Sequence, residues 1–146
     1  MDLRDLLLNT TPGLIDLSLL TGRIALGICF VVHGLGKLGV VGPGSMAGFV
    51  GFLKENNIPV PELQARMAML SELTGGVFLA LGLFTRPVCA MLTFTMLIAA
   101  TVGHRGGGYL VTNDPPGNEY PINLAVMMVM FLLLGPGRLS LDAILF

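Results

Sequence analysis

A chain of 146 residues that is 53% hydrophobic and only 12% charged, with a mean hydropathy of +0.82, lacks the charged quarter that a soluble domain of this size needs on its surface. It reads as an integral membrane protein. A formal net charge of -1 without any run of basic residues excludes nucleic acid as a partner.

The opening stretch MDLRDLLLNTTPGLIDL carries Asp2, Asp5 and Asp16 and has no basic region ahead of a small-residue cleavage site, so it is expected to stay in the mature protein. Thr11 before Pro12 fits an N-cap with proline at the first helical position. The apolar run 17–38 that follows matches the roughly 20 residues needed to cross about 30 Å of hydrocarbon. It contains Arg23, His33 and Lys37, and a charge at mid-bilayer costs about 2.5–3.5 kcal/mol on insertion scales. Arg23 is expected to snorkel to the headgroups as an anchor or to join a structural ion pair. His33 and Lys37 stand one helical turn apart, so both ask for a partner or a cavity, although Lys37 is close enough to the helix end to snorkel.

Residues 39–43 break the helix, and Ser45 is a candidate cap for the segment SMAGFVGFLKENN. Its Met46, Phe49, Val50 and Leu53 recur at helical spacing, which predicts a short amphipathic helix lying on the membrane surface as a lid. Pro59 and Pro61 stop it. The second span is expected at 67–84, with one acid, Glu72, about six residues inside; a carboxylate is short, so it needs a partner or a proton there. Ser71 with Gly75 and Gly76 with Ala80 form small-xxx-small pairs that admit a neighbouring backbone.

The turn 85–87 forces spans two and three into an antiparallel hairpin, with Arg86 as an interfacial anchor. Span three, 88–103, carries the small stripe Thr95, Ala99 and Gly103 and ends at His104 and Arg105. The segment 106–121 is rich in glycine and proline and reads as a loop on the lid's face. Span four is expected at 122–134. Arg138 then anchors at the interface, and Ser140 could cap a last turn. Cys29 and Cys89, both inside apolar spans and without ligand spacing, read as packing residues, and Met127, Met128 and Met130 as core or lipid contacts.

Four spans put both chain ends on one side. Arg4, Arg23, Arg86 and Arg138 fall on that face and Lys37, Lys54, Arg66 and Arg105 on the other, so charge asymmetry gives no orientation. The helical rise places His33, Lys37, Glu72, His104, Glu119, Tyr120 and Asn123 within about 10 Å of the loop face. If the ionisable groups face inward, His33, Lys37, Glu72 and His104 form a cup under the lid, with the apolar walls and few polar groups of a small-molecule site.

These residues resemble the DoxX family of small four-span membrane proteins. The matching pieces are R-x(9)-HG-x-x-K at Arg23, His33, Gly34 and Lys37, and E-x-x-GG-x(4)-LGLFTR at Glu72, Gly75, Gly76, Gly82 and Arg86. A histidine closing span three at His104, and GPGRLSLD at Gly135, Pro136, Gly137, Arg138, Ser140 and Asp142, complete the pattern. The resemblance implies a multi-pass protein of a bacterial cytoplasmic membrane, with its termini inside. It also implies a link to quinone-reducing thiosulfate oxidation or to membrane complexes that handle thiol and oxidative stress.

The expected architecture is all-α, an integral membrane four-helix bundle with a short interfacial amphipathic helix between spans one and two, in a single domain 1–146. The leading functional expectation is a subunit that binds a quinone or similar small redox molecule at His33, Lys37, Glu72 and His104 and supports a membrane or peripheral oxidoreductase partner. Arg23, Arg86 and Arg138 are structural or anchoring. The chain has no flavin, Fe–S or clear haem motif, so the partner or the substrate must supply the redox centre. No covalent cofactor and no metal is implied, apart from a minor reading of His33 and His104 as axial haem ligands. The alternative is a small-solute transporter or permeation helper, or a non-enzymatic membrane scaffold. Turnover of its own and homo-oligomerisation stay open.

Overall fold

The computed structural model describes residues 9–146; Asp2, Arg4 and Asp5 lie outside the described residues. These are all-α, in the order α1 (Pro12–Lys37), α2 (Met46–Glu55), α3 (Pro61–Leu81), α4 (Thr85–Ile98), a π-helical turn (Ala99–Gly103), α5 (Glu119–Leu134) and α6 (Asp142–Leu145).

Local chemistry accounts for the boundaries. Thr11 caps α1 by accepting from the Leu14 amide, and Ser45 caps α2 by accepting from Gly48. Helix α3 starts at Pro61 and not at 67, because the proline that blocks continuation of α2 is itself suited to a first helical position. It ends at Gly82, whose φ of +65° closes the helix in the left-handed region. The hairpin turn is therefore 82–84, three residues earlier than expected. Pro87 sits in the first turn of α4, where its missing N–H breaks no bond. Helix α5 likewise starts at Glu119 and takes Pro121 into its first turn.

Helix α1 packs most extensively on α3, and α4 on α5. The first pair is brought together by glycine. A Cβ on Gly27 would lie 2.6 Å from the Gly76 carbonyl and 2.7 Å from the Ala80 Cβ, and a Cβ on Gly76 would lie 2.7 Å from the Gly27 carbonyl. The small pair Gly76/Ala80 thus serves the close approach expected of it. Between the helices lies a core of Phe30, Leu79, Cys89, Leu92, Met96 and Met128. Cys89 and Met128 pack there, while Met127 and Met130 face outward.

Outside this core the surface is apolar: Phe94 is 66% exposed, Leu133 71%, and Ile28 and Val126 more than half. Such a face in water would be an association hazard; against lipid it is the expected boundary. Among the described residues two helices are long and apolar enough to cross a membrane by themselves, Pro12–Lys37 and Thr85–Gly103, and only 28% of each apolar window is buried. Helix α3 has the length but carries Glu62, Arg66 and Glu72. The 16 residues of α5 rise only about 24 Å.

The end of the bundle nearer the termini is tied by its charged groups. Arg23 does not snorkel: it is 0% exposed, its Nη2 donates to the Leu139 carbonyl, and the Asp142 carboxylate stabilises it at longer range. A side chain on Gly82 would strike this guanidinium. Asp142 accepts from the Phe84 and Thr85 amides at 2.6 and 2.8 Å, capping α4 from the far end of the chain. Asp16 accepts from the backbone and side chain of Arg138 at 2.8 and 2.7 Å. Ser140 accepts from the Ala143 amide over the start of α6. Arg86 is exposed and reaches the Leu133 carbonyl at 3.4 Å.

Stability predictions for three variants arise from this packing. Gly27→Ala is expected to cost about 1–3 kcal/mol by overpacking, whereas Gly51→Ala, with nothing within 4 Å of the added carbon, is expected to gain about 0.5–1 kcal/mol. Asp142→Ala strips the cap of α4 and is expected to cost about 1–2 kcal/mol. Thermal unfolding in detergent checks all three.

Candidate functional site

At the opposite, loop-facing end the chain surrounds a cavity of about 1300 Å³. Its walls come from α1, α2, α3, the end of α4 with its π turn, and the start of α5. The lid sits where Phe49, Phe52 and Leu53 of α2 close over it. Lys54 and Glu62 fasten the far end of α2 to α3 at 2.7 Å, but both are more than half exposed, so the bridge contributes little.

The antiparallel pairing of α1 with α3 dictates what lies inside. Three turns beyond the Gly27–Gly76 contact, Lys37 turns inward and its Nζ meets the Glu72 Oε2 at 2.5 Å. Glu72 is 4% exposed. The same ammonium lies 5.2 Å from the centroid of the Phe49 ring, a cation–π contact that ties the lid to the ion pair. Lys37 therefore does not snorkel. One of its three N–H donors is committed to Glu72, which leaves donors for a further acceptor.

A second polar group stands across the cavity. The Tyr120 hydroxyl at the start of α5 lies 2.7 Å from His33 Nε2 and 2.8 Å from Cys29 Sγ, and the His33 and Tyr120 rings are 5.3 Å apart. Thiol, phenol and imidazole thus form one hydrogen-bonded chain that links α1 to α5. A haem iron at His33 Nε2 would have to displace this phenol. His104, just after the π turn, lines the same cavity and is held by a 3.1 Å bond from Nδ1 to the Pro116 carbonyl. A carbonyl accepts only, so Nδ1 carries the proton. Such π-helical turns occur often at functional sites.

All four expected site residues, His33, Lys37, Glu72 and His104, line this one cavity. Glu119 and Asn123 share their depth but not the cavity: Glu119 accepts from the Val111 amide and Asn123 lines a separate shallow cleft. Tyr120 is the residue that the sequence reading placed at the right depth without assigning to the site, and Cys29 was read as packing alone. Their spacing along the chain carried no signal, because 91 residues separate them. Among the described residues no group of three His, Cys, Asp or Glu side chains is placed to hold a metal ion.

A sequence model of the DoxX family matches residues 18–105, a stretch that contains His33, Lys37, Glu72 and His104. The chain belongs to the DoxX family. It is 30% identical over 132 residues to the inner membrane protein YphA of Escherichia coli K12, covering 85% of this chain and 87% of that protein. It is also 30% identical over 121 residues to an uncharacterized protein of Haemophilus influenzae, covering 82% and 84% respectively. No solved structure matches it significantly. This DoxX chain is accordingly a membrane protein, which agrees with its outward apolar surface.

The ion pair generates a third prediction. Glu72→Ala strands the Lys37 ammonium in an apolar wall, and breaking a buried pair costs about 3–5 kcal/mol. The side chain of Lys37 keeps 19% of its exposure, so the lower end, about 3 kcal/mol, is expected. The double variant Lys37→Met/Glu72→Leu should recover most of that loss in thermal unfolding.

Proposed function

We propose that this DoxX protein crosses the membrane with α1, α3, α4 and α5 and holds a quinone or a similar two-carbonyl redox molecule in the loop-face cavity, in support of an oxidoreductase partner. The single observation that carries the reading is the convergence of Lys37–Glu72, His33–Tyr120 and His104 on one cavity whose remaining walls are mostly apolar. A flat ring with carbonyl oxygens needs that combination: apolar faces to stack on and donors at its edge.

The residues present fit such a group. Lys37 has N–H donors to spare for a carbonyl oxygen while Glu72 holds its charge. The Cys29–Tyr120–His33 chain can be written in two directions. In one, Cys29 donates to Tyr120 and Tyr120 to Nε2, leaving the Nδ1–H of His33 as a donor. In the other, Nε2–H donates to Tyr120 and Tyr120 to sulfur, leaving Nδ1 as an acceptor. Passing one proton along the chain from Cys29 to Nε2 lets His33 release its Nδ1 proton and leaves Cys29 a thiolate, and a proton returned to Nδ1 restores the thiol, without any heavy atom moving far. A quinone takes up two electrons and two protons to become a quinol; the partner supplies the electrons, and Glu72 and His33 are placed to handle the protons.

Native mass spectrometry of protein extracted in mild detergent, followed by solvent extraction, tests whether a quinone travels with the chain. Titration with a short-tailed quinone analogue then tests the residues. Glu72→Gln and Tyr120→Phe are each expected to weaken binding about tenfold, equivalent to about 1.4 kcal/mol. Unchanged affinity in both variants, with no quinone in the extract, would overturn the proposal.

A further inference from the structure

The polar groups occupy only part of the cavity. Its volume, about 1300 Å³, exceeds the roughly 300–1,000 Å³ that suffices for a whole drug-sized ligand, so a ring head at Lys37 and His33 leaves much of it unfilled. Part of the remainder lies between α3 and α4. Met67 and Leu70 of α3 and Met91, Phe94 and Ile98 of α4 line it, and all five are exposed. A mostly apolar lining, broken by Ser71 and Thr95, therefore leads from the inner cavity towards the face that meets lipid.

Two lateral gaps are available, and they differ. On the α1/α5 side the Cys29–Tyr120–His33 chain bridges the helices. On the α3/α4 side the cross-link is a hydrogen bond between the Ser71 and Thr95 hydroxyls at 3.1 Å, and α4 packs less on α3 than on α5. Each hydroxyl has a single proton and lies within reach of a carbonyl of its own helix, Ser71 of Ala68 and Thr95 of Met91, so on parting both donate there and neither is stranded. From Met67 to Thr74 the cavity-lining positions of α3 span seven residues, roughly 10 Å of depth. At its upper end the wedge is walled by Ala99 and Val102 of the π turn.

We propose that the wedge between α3 and α4 is a lateral portal and tail subsite for a membrane-dissolved amphiphile, in which a carbonyl-bearing head sits at the cup and a long hydrocarbon chain trails out to the lipid between Leu70 and Phe94. The head assignment rests on the function proposed above; the tail assignment rests on the wedge. A ligand of this form reaches the cup from within the bilayer and leaves the lid in place. Ser71 and Thr95 mark the gate, and the bulk at Ala99 sets how wide a chain can pass.

The test uses the full chain in nanodiscs of defined phospholipid and a quinone analogue with a photoreactive diazirine at the end of its tail. Crosslinks are expected on 67–74 and 91–98 and should disappear when a tailless quinone competes for the head site. Ala99→Trp is expected to weaken the tailed analogue at least tenfold and leave the tailless one unchanged; because labelling of the unaltered protein stands alone, a folding defect in that variant does not remove the test. Crosslinks on the outward faces of α1 and α5, around Ile28 and Val126, with competition intact, would overturn the portal and leave the cup standing. Wedge labelling that a tailless quinone fails to displace would overturn the head assignment and keep the wedge as a site for hydrocarbon chains.

Discussion

The ion pair between Lys37 and Glu72 is the constraint on which the loop-facing half of the molecule depends. Neither charge is tolerable alone in an apolar bundle, and each lies on a different helix, so α1 and α3 can pair only in a register that brings the two together. The Gly27–Gly76 contact makes that register attainable, because only two glycines let the backbones come so near. Fixing the register also sets the neighbours. His33 lies one turn before Lys37 on α1 and comes to stand opposite α5, where Tyr120 meets it.

The charged residues of this DoxX chain divide into two groups with different work. Those near the termini are spent on structure: Asp142 closes the start of α4, Asp16 holds Arg138, and Arg23 is sealed beneath Gly82 against the Leu139 carbonyl. The last segment is thereby sewn to the α3–α4 turn, with Leu141 and Asp142 donating to the Leu81 and Gly82 carbonyls. The groups at the loop face are arranged around space instead. They border a cavity, keep donors in reserve and connect through short hydrogen bonds that can be reversed. The base is tied together by hydrogen bonds, and the cavity lies in the upper half.

The lid follows the same logic. Helix α2 is weak in isolation, with Gly48 and Gly51 in its ten residues, and it is held by what it covers. Leu53 is buried, Phe49 faces the Lys37 ammonium, and Phe49 and Phe52 stack nearly parallel. Its attachment thus runs through the ion pair, since the cation that meets Phe49 is the one bonded to Glu72.

Composition, caps and breakers, all local in the chain, determined a great deal by themselves: a membrane protein, all-α, with a short amphipathic helix capped at Ser45 and a hairpin between the second and third long helices. The depth of His33, Lys37, Glu72 and His104 was also legible, because helical rise converts residue number into height. Where proline was read only as a breaker the boundaries moved, since Pro61, Pro87 and Pro121 each lie within a first helical turn. Rotation about the helix axes was not legible. Long stretches of α3 and α5 are apolar nearly all round, so no pattern says which face is inward, and that left the burial of Arg23, the inward turn of Lys37 and the Cys29–Tyr120–His33 chain to be decided by tertiary packing. A side chain's height depends on its own helix alone, whereas its direction depends on which backbones can approach, and here the glycine contact between α1 and α3 settles that.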